Sequence, residues 1–301
     1  MNSRLARAAA LLLLAAELPG AAQEAPIDPA EAPTAAEEAE DTIVVTGTAA
    51  PPSRGEVIEQ AQELSRVGRF QLYEEALPRF EAPLCPAVFG LRDDYAAAIL
   101  ARIRANAARV EIATEADGCT PNLLVAFMRD SRTFLADFER ERPEMFRQIA
   151  PDERDELLNQ TVPVRVWTNI GLRWTGNGAP PPGWPKARPS VRGQLSRGAM
   201  PEARDILSSV VLFNEEAVVG MTLEQLADYA TMRGLSHTRP ASGDEPMATI
   251  LAMFADGTDA MTPFDFGYLR SLYYEASNLS AASRFVRIRG QLEEAKEEVD
   301  R

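Results

Sequence analysis

The sequence predicts an α/β (α+β) fold, one main domain in which a mixed sheet packs with several helices. Three observations predict it. The chain has 301 residues, 46% of them apolar and 25% charged, which is enough to bury a full-sized core. Stretches with apolar residues at helical spacing alternate with short aliphatic runs suited to strands. After the first leucine-rich stretch no run of about 18 apolar residues occurs, so no integral membrane span is expected in the mature chain.

Taken in order, the chain opens with Arg4 and Arg7, an apolar run from Ala8 to Ala16 and the small residues Gly20-Ala21-Ala22. That order is the pattern of a signal peptide over residues 1 to 22, cleaved after Ala22, and it implies export to the periplasm. Residues 23 to 55 form an acidic Ala/Pro-rich linker with no basic residue before Arg54, too poor in apolar surface to offset its ordering entropy. Within it, Asp41-Thr-Ile-Val-Val-Thr-Gly47 has the β-branched density of a strand that adds to a sheet edge or stays loose. The same string resembles the mature start of many TonB-dependent outer-membrane receptors, although no barrel follows it.

A globular α/β domain is expected over residues 56 to 276. Val57, Ala61, Leu64 and Val67 recur at helical spacing, and a second helical stretch covers Phe70 to Leu77. Asp93 to Arg109 is a strong amphipathic helix. Asn122 to Met128 is a continuous apolar run that suits a strand buried on both faces. Helix follows from Ser131 to Ile149, punctuated by Pro143, and again from Pro151 to Leu158, with proline where its missing N–H does no harm. Strands are expected over Val162 to Leu172 and Ile206 to Phe213, separated by a Pro- and Gly-rich excursion. Thr222 to Leu235 is a helix opened by the capping box Thr222-Leu-Glu-Gln225, and Met247 to Phe254 is an apolar strand or turn. Thr262-Pro263-Phe-Asp265 caps a helix running to Ala276, and residues 277 to 301 carry a charged C-terminal helix.

Charge and composition exclude several functions. The net charge is −14, and removing the leader takes away two arginines and one glutamate to leave −15, so nucleic acid is not an expected partner. There is one histidine, His237, and only two lysines, Lys186 and Lys296, against a basic total of 31. Chemistry needing paired imidazoles or a phosphate-loop lysine is therefore hard to build. No Gly-x-Ser-x-Gly elbow and no dinucleotide Gly-x-Gly-x-x-Gly fingerprint after a strand is present. The carboxylate pairs Asp93-Asp94, Glu215-Glu216 and Asp244-Glu245 read as solvated helix caps. Trp167, Trp174 and Trp184 flank the Pro-rich excursion and read as staples holding it to the core, the other reading being a peptide or sugar groove. The two cysteines, Cys85 and Cys119, read as one disulfide in an oxidising compartment, the alternative being two buried thiols.

One stretch carries a resemblance. Ala227-Asp-Tyr-Ala-Thr231-Met-Arg-Gly234-Leu-Ser-His237 lies on the pattern His-Glu-x-x-His-x-x-Gly-x-x-His, and together with the layout from about 90 to 275 it resembles the metzincin-type zincin metallopeptidases and similar uncharacterised exported bacterial proteins. The resemblance implies a zincin-like layout with Met247 or Met253 in a methionine turn. Position by position, Ala227 and Thr231 stand where the helical zinc ligands would be, Asp228 where the general base would be and His237 at the third ligand. Alanine has no donor and a neutral threonine hydroxyl is a poor ligand, so the zinc ligands are not retained. Gly234 is expected to end the helix.

The expected function is therefore a non-catalytic periplasmic protein, a degenerate metallopeptidase without a cofactor, that binds or scaffolds an unidentified protein or peptide. Two alternatives remain at this point. One is a metal-dependent hydrolase using His237 with Asp228, Asp244 or Glu245; the other is an accessory to outer-membrane uptake, on the strength of residues 41 to 47.

Overall fold

The computed structural model describes residues 51–147, 149–176, 179, 182 and 199–299. The expected leader and its expected cleavage point after Ala22, residues 41 to 47 and Trp184 lie outside the described residues. The fold is α/β. Its elements, in chain order, are α1 (Arg54–Leu64), β1 (Pro86–Phe89), α2 (Asp93–Arg109), β2 (Leu123–Met128), α3 (Ser131–Glu141), α4 (Pro151–Leu158), β3 (Val164–Trp174), β4 (Glu202–Asn214), α5 (Leu223–Ser236), α6 (Met253–Asp256), α7 (Pro263–Tyr273) and α8 (Ala281–Val299).

The four strands form one mixed sheet in the order β1-β2-β4-β3. β1, β2 and β4 are parallel, in register at Val88↔Val125 and Val125↔Val211, while β3 runs antiparallel to β4 at the edge. Alternation along β2 separates two apolar layers. Leu123, Val125 and Phe127 enter the main core with α1, α2, α5, α7 and α8, whereas Ala126 and Met128 pack on a smaller cluster of Leu135, Phe146, Leu157, Trp167 and Leu212 under α3 and α4. The run expected to be buried on both faces is thus fully buried on one face and partly covered on the other.

Local differences from the sequence reading have simple causes. β1 is short and begins with proline, so it leaves no periodic signal; it is held by Asn122, whose Oδ1 accepts from the Cys85 N–H at 2.8 Å and whose Nδ2 donates to the Pro83 carbonyl at 2.9 Å. Cys85 and Cys119 form a disulfide that ties the head of β1 to the loop before β2, with Cα atoms 6.1 Å apart. Pro143 splits the expected long helix into α3 and a 3-10 turn over Pro143–Phe146. The stretch 70–77 provides only a 3-10 turn at Arg69–Gln71, and 247–254 is a 3-10 turn over Ile250–Ala252 leading into α6. α1 starts at Arg54, where Ser53 and Glu56 form a reciprocal cap. α8 buries Phe285 and Ile288 completely, so the C-terminal helix belongs to the same core.

Arginine takes over the closing of helix ends. Arg284, wholly buried, donates to the carbonyls of Ser271, Leu272 and Ala276 at the end of α7, and Arg79 donates from one nitrogen to those of Leu272, Tyr273 and Glu275. Arg165 does the same for Glu156, Leu157 and Gln160 after α4. A planar fork of donors reaches several carbonyls at once, which a lysine ammonium on a flexible stem does less well.

Candidate functional site: a cleft at the end of helix α5

α5 is the element on which the motif positions fall. Thr222 and Gln225 cap it reciprocally, and every residue from Leu226 to Ser236 is buried. Gly234 does not end this helix. It lies within it, and a Cβ there would come 2.6 Å from Leu123 Cδ1, so its bareness serves close packing of α5 on β2. The helix is closed instead by His237, which takes the left-handed conformation with φ 47° and ψ 49°.

Asp228 is fully buried and consumed by hydrogen bonds. Arg102 of α2 donates to both carboxylate oxygens, from Nε to Oδ1 at 2.7 Å and from Nη2 to Oδ2 at 2.8 Å. Asn106 Nδ2 adds a bond to Oδ1 at 2.6 Å, and the Met261 N–H one to Oδ2 at 2.9 Å. The Asp228 carboxylate in turn raises the pKa of Arg102 above the ordinary guanidinium range. Thr231 donates its hydroxyl to the Ala227 carbonyl at 2.7 Å, the usual back-bond of a buried helical threonine. The two candidate catalytic residues are therefore not brought together: Asp228 serves the seam between α5, α2 and the start of α7, while His237 faces α4.

His237 Nε2 lies 3.0 Å from Glu153 Oε1 in the first turn of α4. Burial pushes the Glu153 carboxyl upward, but the His237 hydrogen bond and the charges of His237, Arg66 and Arg233 outweigh it and hold the group below the usual carboxylate range. Arg66, just past α1, donates from Nη2 to both oxygens of Glu156 at 2.9 Å. Behind this network Arg233 is 1% exposed; its Nη1 donates to the Tyr229 hydroxyl at 2.9 Å, and its Nε and Nη2 have no partner among the described residues.

This network forms one end of a cavity of about 750 Å³. Its floor is the run Thr168 to Leu172 of β3; one wall is Arg66 to Pro78, the other Ile149 to Glu153. Its charges lie in pairs, Arg66 with Glu156, Arg204 with Glu75 and Arg239 with Asp152 at 3.8 Å, and Glu153 lies 4.0 Å from Arg66 as well as against His237. No family model, curated protein or solved structure matches this chain.

The remaining sequence candidates lie elsewhere. Glu245 accepts from the Ser242 and Gly243 N–H groups within its own turn, and neither it nor Asp244 lines the cleft. Trp167 packs between Phe138 and Phe146 beneath α3, with ring centroids 5.5 and 4.8 Å away, as a core residue rather than a loop staple. Among the described residues no group of three or more His, Cys, Asp or Glu is placed to hold a metal ion. Arg66, Glu153 and Arg233 were missed by sequence reasoning; the preference for arginine over lysine was a signal for the two arginines, and no local pattern marked Glu153.

Proposed function

We propose that this chain is an exported, non-catalytic binding protein with a degenerate metallopeptidase-like fold, and that its ligand is an extended polypeptide lying along β3. The observation that carries this reading is the cleft floor: five consecutive residues of an antiparallel edge strand, Thr168 to Leu172, pair on their outer side with no described residue. Such an edge presents N–H and C=O groups spaced for another strand. Because the lining arginines each have a carboxylate partner, net charge is not what recognises the ligand; main-chain hydrogen bonding along the edge is.

The non-catalytic part rests on the motif positions. Asp228 has no exposed oxygen and Thr231 spends its hydroxyl on the helix, so neither offers a reactive group to a substrate. Export rests on the leader pattern of residues 1 to 22, and the Cys85–Cys119 disulfide supports an oxidising compartment.

The test uses the purified full chain with fluorescent short peptides of high strand propensity and their alternately N-methylated analogues. Strand addition predicts saturable binding that N-methylation of one edge weakens by at least about tenfold, as expected when several hydrogen bonds are lost. Binding indifferent to N-methylation, or chelator-sensitive cleavage of casein, would overturn the reading; the second result would return the molecule to the metal-dependent hydrolases.

A further inference from the structure

We infer that Leu207 decides which polypeptides the cleft accepts, selecting an extended segment that carries one bulky apolar side chain at a fixed position. This rests on the strand-addition reading above and specifies the chemistry of its ligand.

The observation is an irregularity in the sheet. β3 and β4 pair as Asn169↔Ser208 and then as Ile170↔Ile206, so Leu207 has no partner across the ladder. One extra residue in one strand is a bulge, and bulges re-aim the side chain they carry. Here the effect is large: Ile206 is buried, while Leu207 is 62% exposed and lines the cavity. The facing strand makes room for it. A Cβ on Gly171 would meet three carbons of Leu207 at 3.1–3.3 Å, so the absence of a side chain at 171 lets Leu207 keep its place.

Leu207 is not an isolated exposed leucine of the kind any surface carries. It lies where a Gly171 side chain would point, on one face of β3, while Ile170 and Leu172 line the cavity from the alternate positions of that strand, Leu172 being itself exposed. The cleft is polar where Arg66, Glu153 and His237 line it. In an added strand successive side chains point to opposite faces, so only alternate ligand residues share the face on which Leu207 lies. One of them lies nearest Leu207, and that is where an aliphatic or aromatic side chain gains contact and a small polar one gains none.

The probe is a single leucine scanned along an otherwise Thr- and Ala-containing peptide, bound to the full chain and followed by fluorescence polarisation. At one position leucine is expected to tighten binding about tenfold over alanine, the gain for burying part of one aliphatic side chain. In Leu207→Ser and Leu207→Ala that discrimination falls below about twofold. Gly171→Ala, which crowds Leu207 without removing it, reduces the discrimination as well. Because the Leu207 side chain is mostly exposed, the melting temperature of both Leu207 variants stays within about 2 °C of the parent, so loss of selectivity is not loss of fold.

Selectivity that survives in both Leu207 variants, or leucine equally effective at every position, overturns the assignment; if binding is still sensitive to N-methylation, strand addition stands without it. Absence of any peptide binding sinks strand addition itself, and this assignment with it.

Discussion

Replacing Asp228 by alanine separates a structural role from a catalytic one. The carboxylate is wholly buried and accepts four hydrogen bonds, two from Arg102, one from Asn106 and one from the Met261 N–H. Removing one member of a buried ion pair costs about 3–5 kcal/mol, because the other charge is left unpaired in a dry site. Arg102 lies at the margin of that range, since its side chain is 36% exposed and can turn to water. Asn106, which is buried, and the Met261 N–H have no such escape, and each unsatisfied buried donor costs about 1–3 kcal/mol. Discounting the Arg102 share leaves about 2–4 kcal/mol, or a fall in melting temperature of roughly 5–12 °C for a domain of this size. Urea unfolding followed by far-UV circular dichroism measures the first and calorimetry the second. A loss below about 1 kcal/mol would show that the α2–α5 seam does not depend on this carboxylate and would reopen a functional role for Asp228.

Three further outcomes follow from the same packing. Gly234→Ala brings a methyl into Leu123, so the usual gain of about 1 kcal/mol for alanine over glycine in a helix reverses to a loss of about 1–3 kcal/mol; a stabilised variant in urea would refute the close approach of α5 to β2. Reducing the Cys85–Cys119 disulfide, which spans 34 residues, costs roughly 3–4 kcal/mol, read as a lower urea midpoint in dithiothreitol that is absent in the Cys85→Ser/Cys119→Ser double variant. Burial pushes the Asp265 carboxyl up to about 6 despite donors from Thr249, Ile250 and Thr262. A raised acid binds more protons in the folded than in the unfolded state between about pH 4 and 6, so this group's contribution is whole below pH 4 and falls by about 3 kcal/mol as pH rises through 6. The difference in urea stability between the parent and Asp265→Asn should follow that slope, and a flat difference would contradict it.

What the sequence made legible was what a local pattern can encode. The helix over 93–109 and the capped starts at Thr222 and Thr262 stand where their spacing and caps place them, and the apolar runs around 122–128 and 206–213 became β2 and β4. β1 was illegible because four residues carry too little periodicity, and its strand character comes from pairing with β2. Gly234 was misread because a glycine near a helix end has two uses, a turn or a close approach, and only the position of Leu123 separates them. The cleft was out of reach for a similar reason. Glu153 lies 84 residues from His237, Glu156 lies 90 from Arg66, and the Leu207 bulge exists only relative to the register of β3.

The motif positions lie along one helix and its cap but do not share one surface. A motif aligned along a helix treats its residues as one row, yet positions 228 and 237 are nine residues, two and a half turns, apart, and their neighbours decide their chemistry. On the α2 side the neighbours are Arg102 and Asn106, and a carboxylate there is a structural counter-ion. On the α4 side the neighbour is Glu153, and an imidazole there closes the end of a cleft. The arginine preference belongs to the same account: a basic total of 31 with only two lysines supplies forks that satisfy helix-end carbonyls and buried acids together. Much of the charge inside this molecule is therefore committed to holding its elements in place.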